Sequence, residues 1–288
     1  MSTDREKNIA RILDGKAVAA SVRNDIKNRV RELEKIGKTP PGLAVVLVGD
    51  DPASKVYVGQ KEKACLEVGF RSFLHRLPAS ASGGDVLSLV DSLNRDAKVH
   101  GILVQLPLPG QIDETFVLEA IDPSKDVDGF HPANMGRLVM GLPSVEPCTP
   151  RGIMHLLSEY RIETSGKKAV VLGRSNIVGK PVAHMLMAAD ATVTVCHSRT
   201  PELETYTREA DIIVAAIGRP SFLKPHMVKE GCVVVDVGIN RLENGLVGDV
   251  DFKGISEKAS WITPVPGGVG PMTIAMLMLN TFERYLQN

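Results

Sequence analysis

Short, unbroken apolar runs separated by helix-patterned stretches constrain this chain more than any other feature. Leu43-Ala-Val-Val-Leu-Val48, bounded by Gly and Asp-Pro, is followed by the strand-length runs Gly101-Ile-Leu-Val-Gln-Leu106, Lys168-Ala-Val-Val-Leu172, Thr192-Val-Thr-Val-Cys196, Asp211-Ile-Ile-Val-Ala-Ala-Ile217 and Cys232-Val-Val-Val-Asp-Val-Gly238. Strands that read as continuous apolar runs are covered on both faces, as in parallel sheets. Between them lies helical periodicity. Val18, Val22, Ile26, Val30 and Leu33 predict a helix over Asp14 to Ile36, ended by Gly37 and Pro40-Pro41. Further helices are expected from Lys61 to Val68, Asp85 to Asp96, Glu114 to Ile121, Arg151 to Tyr160 and His184 to Ala188, with a strand from Phe70 to Leu77. Repeated β-α units predict an α/β protein with parallel sheets and right-handed crossovers.

A length of 288 residues suits about two domains. The prolines around Pro147-Cys148-Thr149-Pro150 mark a boundary, after which the α/β pattern restarts. The last helix, apolar at Ile274, Met276, Leu277, Leu279, Phe282 and Leu286, is expected to pack into a core and bridge back to the first domain. Lys and Arg number 34 against 34 Asp and Glu, so no electrostatic bias points to nucleic acid or an anionic membrane. Cys65, Cys148, Cys196 and Cys232 form no metal-ligand spacing, and reduced, buried thiols are expected. No secretory signal and no membrane-spanning run is visible, and a cytoplasmic protein is expected.

Candidate chemistry in the first half centres on Ala53-Ser-Lys-Val-Tyr57-Val-Gly-Gln-Lys61. With Ser54 capping a helix, Tyr57 and Lys61 share one face near the carboxyl edge of the sheet, where ligands of open α/β sheets bind. The same spacing also describes ordinary surface neighbours. Gln105 is the one polar residue in an apolar strand, suited either to a ligand contact or to a backbone bond at the strand end. Asp128, in Lys125-Asp-Val-Asp-Gly-Phe-His-Pro132, suits the amino edge of a pyrimidine, though Asp-Gly is also a common turn.

The second half offers a mononucleotide-binding pattern of strand, glycine loop, helix and strand. Gly173 and Gly179 are six apart, with Ser175 where a middle glycine is usual. Gly173 suits the tight turn and Gly179 close packing, while the helix amino terminus offers free N–H groups to a pyrophosphate. The next strand ends in His197-Ser198-Arg199 where an NAD site would place an acid. With Arg174, Ser198 and Arg199 suit a 2′-phosphate, favouring NADP; solvated surface charge is the alternative. Trp261 to Thr273 holds three glycines and three prolines, a path that either admits a ligand close to backbone or serves as a rigid linker.

Six stretches taken in order resemble the bifunctional methylenetetrahydrofolate dehydrogenase/cyclohydrolase family over nearly the whole length. They are Ser54 to Lys61, Val104-Gln-Leu-Pro-Leu-Pro109, Lys125 to Pro132, Pro147 to Pro150, Gly173-Arg-Ser-Asn-Ile-Val-Gly-Lys-Pro181 and Pro264-Val-Pro-Gly-Gly-Val-Gly-Pro-Met-Thr273. Gln111 departs from relatives that often carry His there. The resemblance implies a folate-binding catalytic domain at residues 1–147 with a returning helix at 272–288, and a Rossmann-like NADP domain at 148–271. It implies folate in the cleft between the domains and a homodimer through the cofactor domains. It implies oxidation of 5,10-methylenetetrahydrofolate by NADP⁺ and hydrolysis of the methenyl product to 10-formyltetrahydrofolate, without a metal. By resemblance Tyr57 stacks on the folate, Lys61 handles water and protons, Gln105 orients Lys61, and Asp128 anchors the pterin. Val104, Leu106, Pro266, Gly267, Gly268 and Val269 border the folate; Gly173, Arg174, Ser175, Ser198, Arg199 and Ile239 hold the cofactor. A non-catalytic NADP-binding sensor or assembly protein on the same fold is the competing reading.

Overall fold

The structure is a computed structural model and describes residues 9–243 and 245–287. The first elements are β1 (Arg11–Ile12), α1 (Gly15–Lys35), β2 (Gly42–Val48), α2 (Pro52–Val68), β3 (Arg71–Leu77), α3 (Gly83–Arg95), β4 (Gly101–Val104), α4 (Glu114–Ala120) and α5 (Pro132–Val139). They are followed by α6 (Cys148–Glu159), β5 (Lys168–Leu172), α7 (Gly179–Ala188), β6 (Thr192–Cys196), α8 (Leu203–Thr207), β7 (Ile212–Ala215) and β8 (Val233–Asp236). The chain ends with β9 (Asn240–Leu242), β10 (Gly245–Val247), α9 (Phe252–Ser256), β11 (Trp261–Ile262) and α10 (Val269–Gln287).

One compact unit comprises Ala19–Cys148 and the chain from Ile274. Its sheet has three parallel strands in the order β3-β2-β4. Every residue of β2 is buried, which explains its lack of alternation. Ala44, Val46, Val48, Ile102 and Val104 form a core with Val86, Val90 and Leu93 of α3 and Val117 of α4. The end of α10 packs within this unit: Phe282 stacks on Phe70, with ring centroids 6.4 Å apart, and Tyr285 meets His100 edge-on at 4.9 Å. The apolar pattern of the last helix thus buries Met276, Leu277 and Phe282, while Leu286 remains exposed.

The other unit runs to Val18 and from Thr149 to Thr273. Its sheet is ordered β1-β11-β8-β7-β5-β6, with every pairing parallel. Leu172, Ile213, Ala215, Val234 and Ile262 supply its core. Here the sequence expectation needs correction at the amino terminus. Arg11 and Ile12 pair with Trp261 and Ile262, so β1 belongs to this sheet and not to the unit beginning at residue 19. An exposed two-residue strand carries no periodicity to read.

Two element boundaries also move. Asp51, not Ser54, is the N-cap of α2; its carboxylate accepts from Ser54 N at 2.7 Å, and Pro52 opens the helix. A proline lacks the N–H that a first helical residue would leave unused, so it belongs at that position with the capping side chain just before it. β4 pairs only through Val104, leaving Gln105 and Leu106 beyond the ladder.

Candidate functional site

In the smaller-sheet unit, burial fixes how α2 faces. Ser54, Val58, Cys65 and Val68 form its inward stripe, and Gly69 closes it in the left-handed conformation. Tyr57 and Lys61 follow one turn apart on the adjacent face, Tyr57 exposed and Lys61 half-buried. Lys61 Nζ donates to Gln105 Oε1 at 2.9 Å. Gln105 is itself fixed twice: its backbone N–H donates to Val46 O at 2.9 Å and its Nε2 to Leu106 O at 2.7 Å. The amide oxygen is therefore committed to the ammonium. Of the two readings left open by the sequence, the strand-end backbone bond is present.

Asp128 comes near Lys61 from the segment that bridges to β4. Asp126 forms a parallel bridge with Ile102, and Ile102 N donates to Lys125 O at 2.7 Å. Asp128 follows in the turn after this bridge, near enough to Lys61 for the ammonium charge to act on its carboxyl. Asp126, 1% exposed, shapes the turn that follows. Its Oδ1 accepts from Gly129 N (3.1 Å) and Phe130 N (3.3 Å), and its Oδ2 from His131 N (2.8 Å) and Asn134 Nδ2 (2.9 Å). Gly129, at φ +77°, lies so near Pro147 that a Cβ would come within 2.6 Å of its nitrogen. From α10, Asn280 Nδ2 donates to Val127 O (2.8 Å) and Glu146 O (2.9 Å), and the Cys148 thiol donates to Val127 O (3.2 Å). Burial pushes the Asp128 carboxyl above the usual carboxylate range; Lys61 opposes this, Asp126 reinforces it, and a Cys148 hydrogen bond opposes it. Asp126, Cys148 and Asn280 received no role from the sequence, although the Asp-x-Asp spacing and a lone Asn in an apolar helix were visible signals.

The larger-sheet unit places the nucleotide residues on strand-end loops. Gly173, at φ +114°, follows β5, and its N–H donates to Cys196 O at 2.8 Å, joining the loop after β5 to the end of β6. A Cβ there would overlap Ala216 O, and one on Gly179 would overlap Gly173 O, so both positions require glycine. Arg174, Ser175, Asn176 and Ile177 are exposed, as are Ser198 and Arg199 after β6 and Ile239 after β8. One expectation changes here. The N–H groups of Val178 and Gly179 are not free for phosphate, because Ser175 Oγ accepts from them at 3.2 and 3.3 Å. Ser175 occupies the middle-glycine position because it serves as a local cap there. A turn closed to Cβ atoms, exposed backbone ahead of a helix and two exposed guanidinium groups fit a phosphorylated dinucleotide.

Pro266, Gly267, Gly268 and Val269 lie in the same unit. Gly267 has φ +113°, Gly268 N donates to Pro264 O at 2.8 Å, and Lys16 N donates to Gly267 O at 2.9 Å. The segment is thus braced from α1 as well as within itself. A separate apolar groove of about 550 Å³ runs between α3 and α4, lined by Leu87, Ile112, Phe116 and Val117, and contains none of the residues singled out from the sequence. Among the described residues no group of three or more His, Cys, Asp or Glu could hold a metal.

Comparison with known proteins identifies the family. The family profile for the tetrahydrofolate dehydrogenase/cyclohydrolase catalytic domain matches residues 13–128, and that for its NAD(P)-binding domain matches residues 147–288. A "Bifunctional protein FolD" of Pelobacter propionicus is 61% identical over 276 residues, covering 96% of this chain and 97% of that one. The crystal structure of the Campylobacter jejuni bifunctional FolD methylenetetrahydrofolate dehydrogenase/cyclohydrolase superposes with a TM-score of 0.95 at 53% identity, covering 96% and 99% of the two chains. A Trypanosoma brucei dehydrogenase-cyclohydrolase, solved with NADP cofactor and an inhibitor, gives a TM-score of 0.93 at 40% identity and covers 97% and 99%.

Proposed function

Because the chain belongs to the tetrahydrofolate dehydrogenase/cyclohydrolase family, we propose that Lys61, Gln105, Asp128 and Tyr57 form its reaction centre. The chain is a bifunctional NADP-dependent enzyme that oxidises 5,10-methylenetetrahydrofolate to the 5,10-methenyl form and hydrolyses that to 10-formyltetrahydrofolate. The non-catalytic sensor is not favoured. The observation that carries the site assignment is the 2.9 Å bond from Lys61 Nζ to Gln105 Oε1 beside the raised carboxyl of Asp128.

NADP⁺, when bound, accepts the hydride from the methylene carbon. Gly173, Arg174, Ser175, Ser198, Arg199 and Ile239 would hold it, the guanidinium groups engaging phosphate. The rest of the chemistry falls to the smaller-sheet unit. Tyr57 offers an exposed ring for stacking on the flat pterin system. Asp128 is a half-buried carboxylate whose charged form is disfavoured by desolvation, and the amino edge of the pterin supplies donors that stabilise it. Val104 and Leu106 flank Gln105. Hydration adds water oxygen to the methenyl carbon, breaks the bond from that carbon to N5, and leaves the carbon as a formyl group on N10. Lys61 Nζ positions the water and relays its proton, while Gln105 holds the amine in place.

The unit from Ala19 to Cys148 thus binds folate and the other binds NADP. A homodimer through the cofactor unit extends the reading. β6 ends its sheet with Val195 38% exposed, a strand edge open to pairing. A cytoplasmic location fits the one-carbon chemistry; among the described residues no helix is long and apolar enough to cross a membrane.

Lys61→Ala tests the centre. Hydration of methenyltetrahydrofolate should be lost while NADP⁺ binding, followed by calorimetry, persists. Full cyclohydrolase activity in that variant would remove Lys61 from the mechanism.

A further inference from the structure

Two buried carboxylates lie behind the strand-end loops of the larger sheet, outside the chemistry assigned above. Asp236 ends β8 and is 2% exposed; Asp249 follows β10 and is fully buried. Asp236 Oδ1 accepts from Gly238 N (2.9 Å) and Asp249 N (2.8 Å), and its Oδ2 from Val250 N (3.0 Å). Asp236 thereby fixes the backbone at Asp249. Asp249 in turn accepts from Ile217 N (2.7 Å) and Gly218 N (2.9 Å) on Oδ2 and from Asn240 Nδ2 (2.9 Å) on Oδ1. No spare room exists around the pair. A Cβ on Gly238 would strike the Asp249 carboxylate, and one on Gly248 the Asp236 carboxylate.

The connectivity is more informative than the burial. Ile217 and Gly218 follow β7, and Asn240 follows Ile239 after β8, so one side chain ties together two loops at the carboxyl edge of the sheet. That edge is where a parallel α/β sheet receives its ligand. Ala216 O also fills the space beside Gly173 that a side chain would take, placing the β7 loop directly against the turn of the nucleotide loop. Successive N–H groups at Ile217 and at Gly218, whose φ is +68°, form a small concavity suited to an anion. Here the Asp249 carboxylate fills it from inside the protein. The loop geometry therefore depends on a group that never faces solvent.

We propose that Asp249 is a positioning residue for the dinucleotide, its carboxylate holding the Ile217–Gly218 loop and, through Asn240, the Ile239 loop in the shape that receives NADP. This rests on the assignment of the larger-sheet unit to NADP. It goes beyond that assignment by naming what sets the loops before the cofactor arrives. Thr263 Oγ1, which accepts from Asp236 N at 2.7 Å, anchors the assembly to the neighbouring segment.

The two reactions supply an internal comparison, because hydrolysis of methenyltetrahydrofolate can be assayed with no cofactor present. In Asp249→Ala the KM for NADP⁺ should rise about tenfold or more, and the ratio of dehydrogenase to cyclohydrolase rate should fall by a similar factor. Asp249→Asn should recover part of the loss, since its oxygen can still accept from Ile217 and Gly218 if the Asn240 amide turns. Asn240→Ala cuts the tie between the loops without emptying the buried concavity, and should shift KM in the same direction by a smaller factor. It decides the matter should Asp249→Ala fail to fold. An unchanged rate ratio and unchanged KM for NADP⁺ in folded variants would overturn the proposal. Absence of NADPH formation by the unaltered enzyme would instead overturn the NADP assignment itself.

Discussion

Replacing Asp126 by Asn tests how the folate-side loop is built, because the change preserves shape while removing one acceptor and the charge. The native carboxylate accepts four bonds, two on each oxygen, in a site 1% exposed. An asparagine has one acceptor oxygen. In the better orientation that oxygen serves Gly129 and Phe130, leaving the His131 N–H against an amide nitrogen and forcing Asn134 to turn from Pro123 O. One orphaned buried donor costs about 1–3 kcal/mol, and loss of charge from the surviving bonds brings the total to roughly 3–5 kcal/mol. That is a large part of the 5–15 kcal/mol typical of a domain. Urea unfolding should therefore show a markedly lower midpoint, and KM for the folate should rise because Asp128 sits two residues along the loop. A second consequence has a definite sign. Asp126 helps to raise the Asp128 carboxyl, so in the variant Asp128 ionises at lower pH and the acid limb of the activity profile moves down. A stability change within about 0.5 kcal/mol, the range of ordinary surface substitutions, would refute the hydrogen-bond account, and an acid limb moving upward would refute the electrostatic one.

Two further outcomes follow from buried groups elsewhere. Asp236 titrates at about 6 in the folded chain, raised from 3.8 chiefly by burial, so the native state holds its proton more tightly than the unfolded state. Folding stability from this group is full below about pH 4 and falls by on the order of 3 kcal/mol as pH rises to about 6; the stability gap between Asp236→Asn and the unaltered protein, measured by urea unfolding, should shift in the variant's favour across that interval, and a gap independent of pH would contradict it. Burial pushes the Cys65 thiol up to about 12 and that of Cys232 to about 11, so a thiol-selective disulfide reagent should label these cysteines only after unfolding; rapid labelling of either in the folded protein would be inconsistent with this burial.

The sequence carried those parts of the fold whose cause is local. β2 reads as a buried strand because every one of its side chains is apolar and covered, and Gly173 and Gly179 announce a turn that no other residue could make. Gln105 was conspicuous for an equally local reason: a single amide at the end of an apolar run must find a partner, and it finds Lys61 from another element. The cap of α2 was placed three residues late, at Ser54, because the weight of Pro52 at the first helical position, which puts Asp51 in the cap, was missed. The β9–β10 hairpin was not legible, because most of its side chains are exposed and no periodic apolar face marks it.

What escaped entirely were side chains whose roles exist only after distant segments meet. Asn280 reaches Val127 from 153 residues away, and Asp249 reaches Ile217 from 32. Asp126 and Asp249 share a physical task in different units: each is a buried carboxylate accepting from backbone N–H groups that irregular loop geometry leaves without a ladder partner. Two oxygens are needed because each must serve donors from two directions. Strand-end loops can present ligand groups reproducibly only if their own polar backbone is satisfied from within. A buried aspartate beside a glycine turn is thus the supporting element to examine wherever a parallel sheet presents a site.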